Sequence, residues 1–380
     1  METLPAPRCA FTRAIIPVPP SFPEIGGQMS QENKMKRLLA AAVMMTTTFA
    51  LGQNSGALRV YFADVEGGQA TLFVTPTGES LLVDTGWPDH DNRDANRIVE
   101  LCKQAGVKKI GNVLITHYHT DHAGGVPQLA ALMPIGRFID HGPNREDNNK
   151  ATVDSWQAYQ KVLASGHYAH LVAKPGDILP IKGMRVEVVS GDGNVLARPL
   201  AGAGARNPAC ATSPEKPVEN SENDRSLGMM ITFGKLRIAD LGDLTWAKER
   251  PLMCPIDKLG KVDVYIVSHH GFNRSSSPAL VDALAPRVAI MDNGATKGGD
   301  PGAWDIIDRS PRIKSDPGSL WQLHTVIHSD AAHNAADSRI ANLPGSDAGH
   351  ALILTGHRDG SFSVTNQRTG QTVPYPEEHP

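Results

Sequence analysis

Residues 116–125 read THYHTDHAGG and place His117, His119, Asp121 and His122 in one short stretch. Imidazole nitrogens and carboxylate oxygens are the ligands that zinc and related dications take. Their density here points to a metal centre rather than to a polar loop with local hydrogen bonds. The preceding run, IGNVLI at 110–115, is short, apolar and β-branched, and predicts a buried strand ending where the histidines begin. Ligands at the carboxyl end of a strand sit where open α/β sheets carry their sites.

Other strand ends repeat the pattern. ESLLV (79–83) leads into Asp84, readable as an anchor for a ligand histidine or as an Asx-turn residue. MRVEVVS (184–190) runs on to Asp192. A hairpin of LGMMITF (227–233) and LRIA (236–239) delivers Asp243, and VDVYIV (262–267) ends at His269 and His270. A strand at 137–141 ends in His141, and His141, His167 and His170 are additional candidate ligands, although such a histidine alone is more often an ordinary surface or hydrogen-bonded one. Helical spacing covers 91–105, 126–133, 154–164 and 277–283, and strands alternating with helices predict an α/β sandwich. The Gly- and Pro-rich stretch 191–222 reads as a long loop, either mobile or near the site. DNGATKGGDPG (292–302) either borders a pocket or simply connects elements. In the tail, His324, His328 and His333 fall in a polar segment that reads as solvated loop, followed by a hairpin at 351–355 and 361–365.

The composition, 40% hydrophobic and 20% charged, is that of a soluble globular protein. A formal net charge of −3 offers no basic excess, which argues against tight non-specific nucleic-acid binding. Residues 34–53 (KMKRLLAAAVMMTTTFALGQ) have a basic start, an apolar centre and small residues near the end, the layout of a secretory signal peptide. The expectation is an exported protein, periplasmic or secreted, with cleavage after Ala50 or Gly52. Met35 is then the natural start and 1–34 a mis-assigned extension, with a disordered leader as the alternative. The apolar run is shorter than the ~20 residues of a membrane span, so no stable anchor is expected. Loss of Cys9 with the leader leaves Cys102, Cys210 and Cys254, with Cys210–Cys254 the candidate disulfide.

Taken in order, LLVDTG, the His-x-His-x-Asp-His run, LGDL and the His269–His270 pair resemble the metallo-β-lactamase superfamily over roughly residues 58–295. ADVEGGQA, SLGMMITFGKLRIADLGD and VSHHGFNRSSS are similar to the hydrolase domain attached to ComEC-type DNA-uptake proteins and to its free-standing relatives. The resemblance implies a four-layer αββα sandwich at 56–300, after a leader at 1–52 with its signal peptide at 35–52. A small β-rich C-terminal extension at 301–380 would follow. It also implies two divalent ions, zinc or manganese. His117 and His119 would hold the first, Asp121 and His122 the second, Asp243 would bridge them, and one of His269 and His270 would complete the second. The first ion's third histidine is expected after 184–190, where Asp192 stands instead. That position is left open, or is filled by Asp192 or His141. Gln69 replaces the acid that the subgroup carries after its glycine turn.

The chemistry implied is attack by a metal-bound hydroxide on a small phosphodiester or related ester. Asp121 or Asp243 would orient the water, and the histidine pair, with His270 in the catalytic set, would stand near the small-molecule substrate. Alternatives on the same scaffold are lactone, thioester or β-lactam hydrolysis, or a catalytically degenerate metal- or ligand-binding module. The natural substrate and the oligomeric state are left open by the sequence.

Overall fold

A computed structural model describes residues 56–378 apart from Asp89, His167, Pro317 and Ser346. The leader, its signal-like segment and His167 lie outside the described residues. The first half runs β1 (Leu58–Phe62), β2 (Thr71–Val74), β3 (Ser80–Val83), α1 (Arg93–Ala105), β4 (Ile110–Leu114), a short α2 (Thr120–Ala123), α3 (Val126–Leu132), β5 (Ile135–Asp140), α4 (Lys150–Ala164) and β6 (Ala169–Val172). The second runs β7 (Arg185–Val188), β8 (Ser190–Gly191), β9 (Asn194–Val195), β10 (Met229–Phe233), β11 (Leu236–Asp240), α5 (Trp246–Met253), β12 (Val264–Ile266), α6 (Pro278–Leu284), β13 (Val288–Met291), α7 (Pro301–Asp308) and α8 (Pro311–Ser315). It is followed by β14 (Leu320–His324), β15 (Ile340–Asn342), β16 (Leu352–Gly356), β17 (Phe362–Asn366) and β18 (Thr372–Tyr375).

Two sheets result. The first has the order β18-β17-β16-β1-β2-β3-β4-β5-β6, the second β15-β14-β13-β12-β11-β10-β7. Period-two alternation decides which side chains meet between them. Val60 and Phe62 of β1 pack into the central core with Ile231 and Phe233 of β10 and Val264 and Ile266 of β12. Tyr61 points the other way, toward Ile98, Leu101 and Leu129 from the helices outside the first sheet. Leu252, Leu280 and Ile307 cover the outer face of the second sheet. The order of layers is therefore helix, sheet, sheet, helix, as expected. Strands β3 to β6 run parallel, as do β11 to β15, and the inner strands β3, β12 and β13 are short apolar runs because both their faces are covered.

The boundary expected at residue 300 does not divide the structure. Residues Asn54–Pro380 form one compact unit. β14 and β15 lengthen the second sheet, while β16 pairs antiparallel with β1, Leu58 opposite Gly356, so the tail hairpin joins the first sheet. The physical reason is edge protection: without β16, β1 would expose a row of unpaired backbone groups. Period-two spacing announces a strand but not its partner. Trp321 of β14 is fully buried in the central core, which commits the tail to the fold. Cys210 and Cys254 form the expected disulfide, and Cys102 is a buried free thiol. Among the described residues, no helix is long and apolar enough to cross a membrane.

Candidate metal centre

The parallel strands point their carboxyl ends at one rim, and the chemistry-bearing residues collect there. β3 delivers Asp84, β4 delivers His117 to His122, β11 delivers Asp243, and β12 delivers His269 and His270. Asp84, His269 and His270 all hold positive φ, of 60°, 56° and 54°. Such backbone is uncommon outside glycine and costs about 1–3 kcal/mol, so its concentration at one rim marks a place where side-chain aim outweighs backbone comfort.

Two groups of ligand atoms converge. Asp121, His122, Asp243 and His270 form one, all buried, and His117, His119 and Asp243 form the other, so Asp243 belongs to both. In the first group Asp121 Oδ2 lies 3.3 Å from His122 Nε2 and 3.2 Å from His270 Nε2, and His122 Nε2 lies 3.3 Å from Asp243 Oδ2. In the second, His117 Nε2 and His119 Nδ1 are 3.0 Å apart, with His117 Nε2 3.8 Å from Asp243 Oδ2.

The donor chemistry fits a cation. His122 Nε2 and His270 Nε2 face each other at 3.1 Å. His122 Nδ1 is committed to Asp84 Oδ2 at 2.7 Å, which leaves its Nε2 to face the centre. Asp243 Oδ1 is buried without a hydrogen-bond partner among the described residues, a state that a buried carboxylate oxygen rarely tolerates. Burial alone would push the carboxyls of Asp121 and Asp243 up. Lys297 and His122 beside the one, and His122, His269 and His270 beside the other, hold both well below the usual carboxylate range. Both stay ionised.

The ligands are braced from behind. Asp84 takes Thr116 N–H at 2.7 Å and Thr116 O–H at 2.6 Å besides holding His122, so the anchor reading of this residue is the one realised: its carboxylate reaches across to the end of β4, not to its own turn. Glu146 Oε2 lies 2.8 Å from His119 Nε2, which turns His119 Nδ1 toward His117. Glu146 itself accepts the Glu222 N–H at 2.9 Å. Removing such a brace typically costs ~10- to 100-fold in metal affinity. Asp84→Asn should therefore weaken uptake of metal by the stripped protein by about that factor, measured by titration. An unchanged affinity would show that Asp84 serves only to hold Thr116.

The pair left unresolved by the sequence separates here. His270 joins the four-ligand group. His269 does not, although its Nε2 is 3.5 Å from Asp243 Oδ2, and its Nδ1 lies 3.3 Å from Ser275 Oγ. Burial pushes the His269 ring down to about 4, so it is neutral at the edge of the centre.

Several candidates fall elsewhere. Asp192 makes a two-pronged ion pair with Arg145, at 2.9 and 3.1 Å, and is absent from both groups. His141 is buried with its Nε2 2.9 Å from Glu222 Oε2, so neither residue supplies the missing ligand beside His117 and His119. His170 lies 2.7 Å from Asp140 Oδ2. His328 and His333 are outside both groups, as the solvated-loop reading implies. His324 corrects that reading. It closes β14, is buried, and its Nε2 lies 2.6 Å from Asp64 Oδ1, because β14 runs inside the sheet rather than over the surface. Gln69 also stays outside the groups. Its amide donates to both oxygens of buried Asp240, at 3.1 and 3.0 Å, where a carboxylate at position 69 would meet another carboxylate.

Sequence reasoning missed Glu146, Glu222, Asp292 and Lys297. Asp292 Oδ1 faces His270 Nδ1 at 3.3 Å from the end of β13, and its strand-end position was the available signal. Lys297 contacts Asp121 Oδ2 from the loop after β13. Glu146 and Glu222 lie in irregular chain with no periodicity to mark them.

An αββα sandwich with histidines and aspartates converging at one rim defines a class of metal-centred proteins. Residues 64–204 match the model described as the Metallo-beta-lactamase superfamily, and the chain carries a domain of that family. Among curated proteins the chain is similar to Recombination protein 2 of Haemophilus influenzae, 24% identical over 254 residues, which are 66% of this chain and 26% of that protein. It is also similar to ComE operon protein 3 of Bacillus subtilis, 26% identical over 194 residues, 50% of this chain and 20% of that protein. A third relative is the Atrochrysone carboxyl ACP thioesterase dmxR1 of Cryptosporiopsis sp., 34% identical over 124 residues, 31% of this chain and 35% of that protein. The chain thus spans about a quarter or less of the length of the first two.

Proposed function

We propose that the chain is a metal-dependent hydrolase acting on a small phosphodiester, holding two divalent ions, zinc or manganese. The observation that carries this reading is the sharing of Asp243 by two converging ligand groups. Asp121, His122, Asp243 and His270 would hold one ion, and His117, His119 and Asp243 the other. When bound, such a pair acidifies water toward neutral pH and supplies positive charge where negative charge builds up on the attacked group. Asp121 or Asp243 would orient the attacking water. Asp84 and Glu146 fix the rings of His122 and His119, so the site is organised before substrate arrives. His269, beside Asp243 but outside the four-ligand group, would stand near the substrate.

Similarity to Recombination protein 2 and ComE operon protein 3 supports the phosphodiester, and the acidic chain supports a small substrate over tight binding of long nucleic acid. Similarity to the ACP thioesterase supports a second reading, thioester hydrolysis by the same residues. The disulfide supports export, since such bonds persist in oxidising compartments.

The test is metal analysis coupled to a substrate panel on metal-loaded protein. About two equivalents of metal with turnover of bis-p-nitrophenyl phosphate are expected. Preference for an acyl thioester, a lactone or a β-lactam would replace the substrate class. Absence of both metal and turnover would make the chain a binding module.

A further inference from the structure

Lys297 lies on the loop between β13 and α7, and the loop's backbone is fixed against the site. Gly299 N–H donates to His270 O at 2.9 Å, Asp300 N–H to Gly271 O at 2.9 Å, and Gly294 N–H to Lys297 O at 2.9 Å. Gly298 has φ +76°, and a Cβ there would come within 2.1 Å of His270 O, so only glycine lets the loop lie this close to the ligand histidine. A Cβ at Gly67 would likewise sit 2.9 Å from Lys297 Cβ. These contacts hold Lys297 in place as part of the site's wall, not as a loose surface lysine.

Its ammonium donates to Gly67 O at 2.6 Å, contacts Asp121 Oδ2, and lies 5.0 Å from the centre of the Trp87 ring. An ammonium carries three N–H groups, and among the described residues two acceptors account for two of them. The side chain is 25% exposed. Asp121 also belongs to the four-ligand group, and a dication held there would claim its charge. The lysine would then stand beside divalent ions, with like charges together in a buried rim. Such an arrangement is stable when an anion enters to meet it.

We propose that Lys297 is a specificity-determining residue that binds the anionic oxygen of the substrate, the non-bridging oxygen of a phosphodiester, at the edge of the metal centre. The proposal rests on the metal-dependent phosphodiesterase reading and names the charge that this site selects.

The test uses dimethyl phosphate, a stable diester anion, titrated calorimetrically into manganese-loaded protein. Trimethyl phosphate serves as the uncharged control. Lys297→Met is expected to keep the wild-type manganese content and to bind dimethyl phosphate about 10- to 100-fold more weakly, the range for one hydrogen bond to a charged group. Lys297→Arg should recover most of the affinity, and trimethyl phosphate should bind weakly whatever stands at 297. Undiminished binding of dimethyl phosphate by Lys297→Met would overturn the assignment. So would loss of manganese in that variant, because Lys297 would then serve only to hold Asp121, or failure of the metal-loaded wild type to bind dimethyl phosphate. Lys297-dependent binding of dimethyl phosphate without turnover of any diester would leave this assignment standing and remove the hydrolase reading instead.

Discussion

Asp243→Asn is expected to lose bound metal at both positions and to lower kcat/KM by at least about 10³-fold, the equivalent of several kcal/mol of electrostatic stabilisation of the transition state. The argument rests on sharing. Asp243 is the one residue present in both ligand groups, its Oδ2 within 3.3 Å of His122 Nε2 and 3.5 Å of His269 Nε2, and its Oδ1 3.6 Å from His270 Nε2. Asparagine keeps the volume, and the backbone N–H at 243 keeps its bond to Ser226 Oγ at 3.1 Å, so the fold should survive. The change removes one negative charge from a place where four imidazoles crowd it. Elemental analysis beside a thermal melt separates the possibilities. A folded variant that keeps about two equivalents of metal would refute the bridging role.

The second large effect is an asymmetry in metal loading. One group offers four side chains, all buried, and the other offers three, with Asp243 common to both. The position at which a further histidine was expected holds Asp192, which is engaged by Arg145, and His141 is engaged by Glu222. Titration of stripped protein with manganese or zinc should therefore fill two positions in sequence, separated by at least about tenfold in affinity, the factor that corresponds to 1.4 kcal/mol. His117→Ala should abolish the weaker phase and leave the stronger, whereas His270→Ala should remove the stronger one. Brace residues set the scale of what remains: Glu146 holds His119 on the weaker side and Asp84 holds His122 on the stronger. A single phase of two equivalents, or loss of the stronger phase in His117→Ala, would show that ligand number does not order this centre.

Much of the site was legible because its residues are local to strand ends. A β-strand announces itself by apolar, β-branched runs, and the residue after its last buried position must turn out at the rim. His117, His119, Asp121, His122, Asp243 and His270 could thus be assigned to one rim from their own neighbourhoods. The choice between His269 and His270 could not. Adjacent residues on a left-handed turn aim in different directions, and φ values of 56° and 54° are a consequence of packing, not of the dipeptide. Glu146 and Lys297 were illegible for a related reason. Each sits in irregular chain and reaches its partner, His119 or Asp121, across a fold-dependent gap.

The sequence by itself determined the alternating strands and helices and the histidine- and aspartate-bearing strand ends, because each follows from side-chain type and short-range spacing. Only the tertiary structure decided that the last eighty or so residues complete both sheets instead of forming an appendage. It also turned Asp192 to Arg145 and His141 to Glu222, outside both converging groups, brought His270 into one of them, and set Lys297 against Asp121. Strand pairing and side-chain aim depend on which surfaces remain to be buried once the two sheets meet, and that is settled by contacts between residues far apart in the chain.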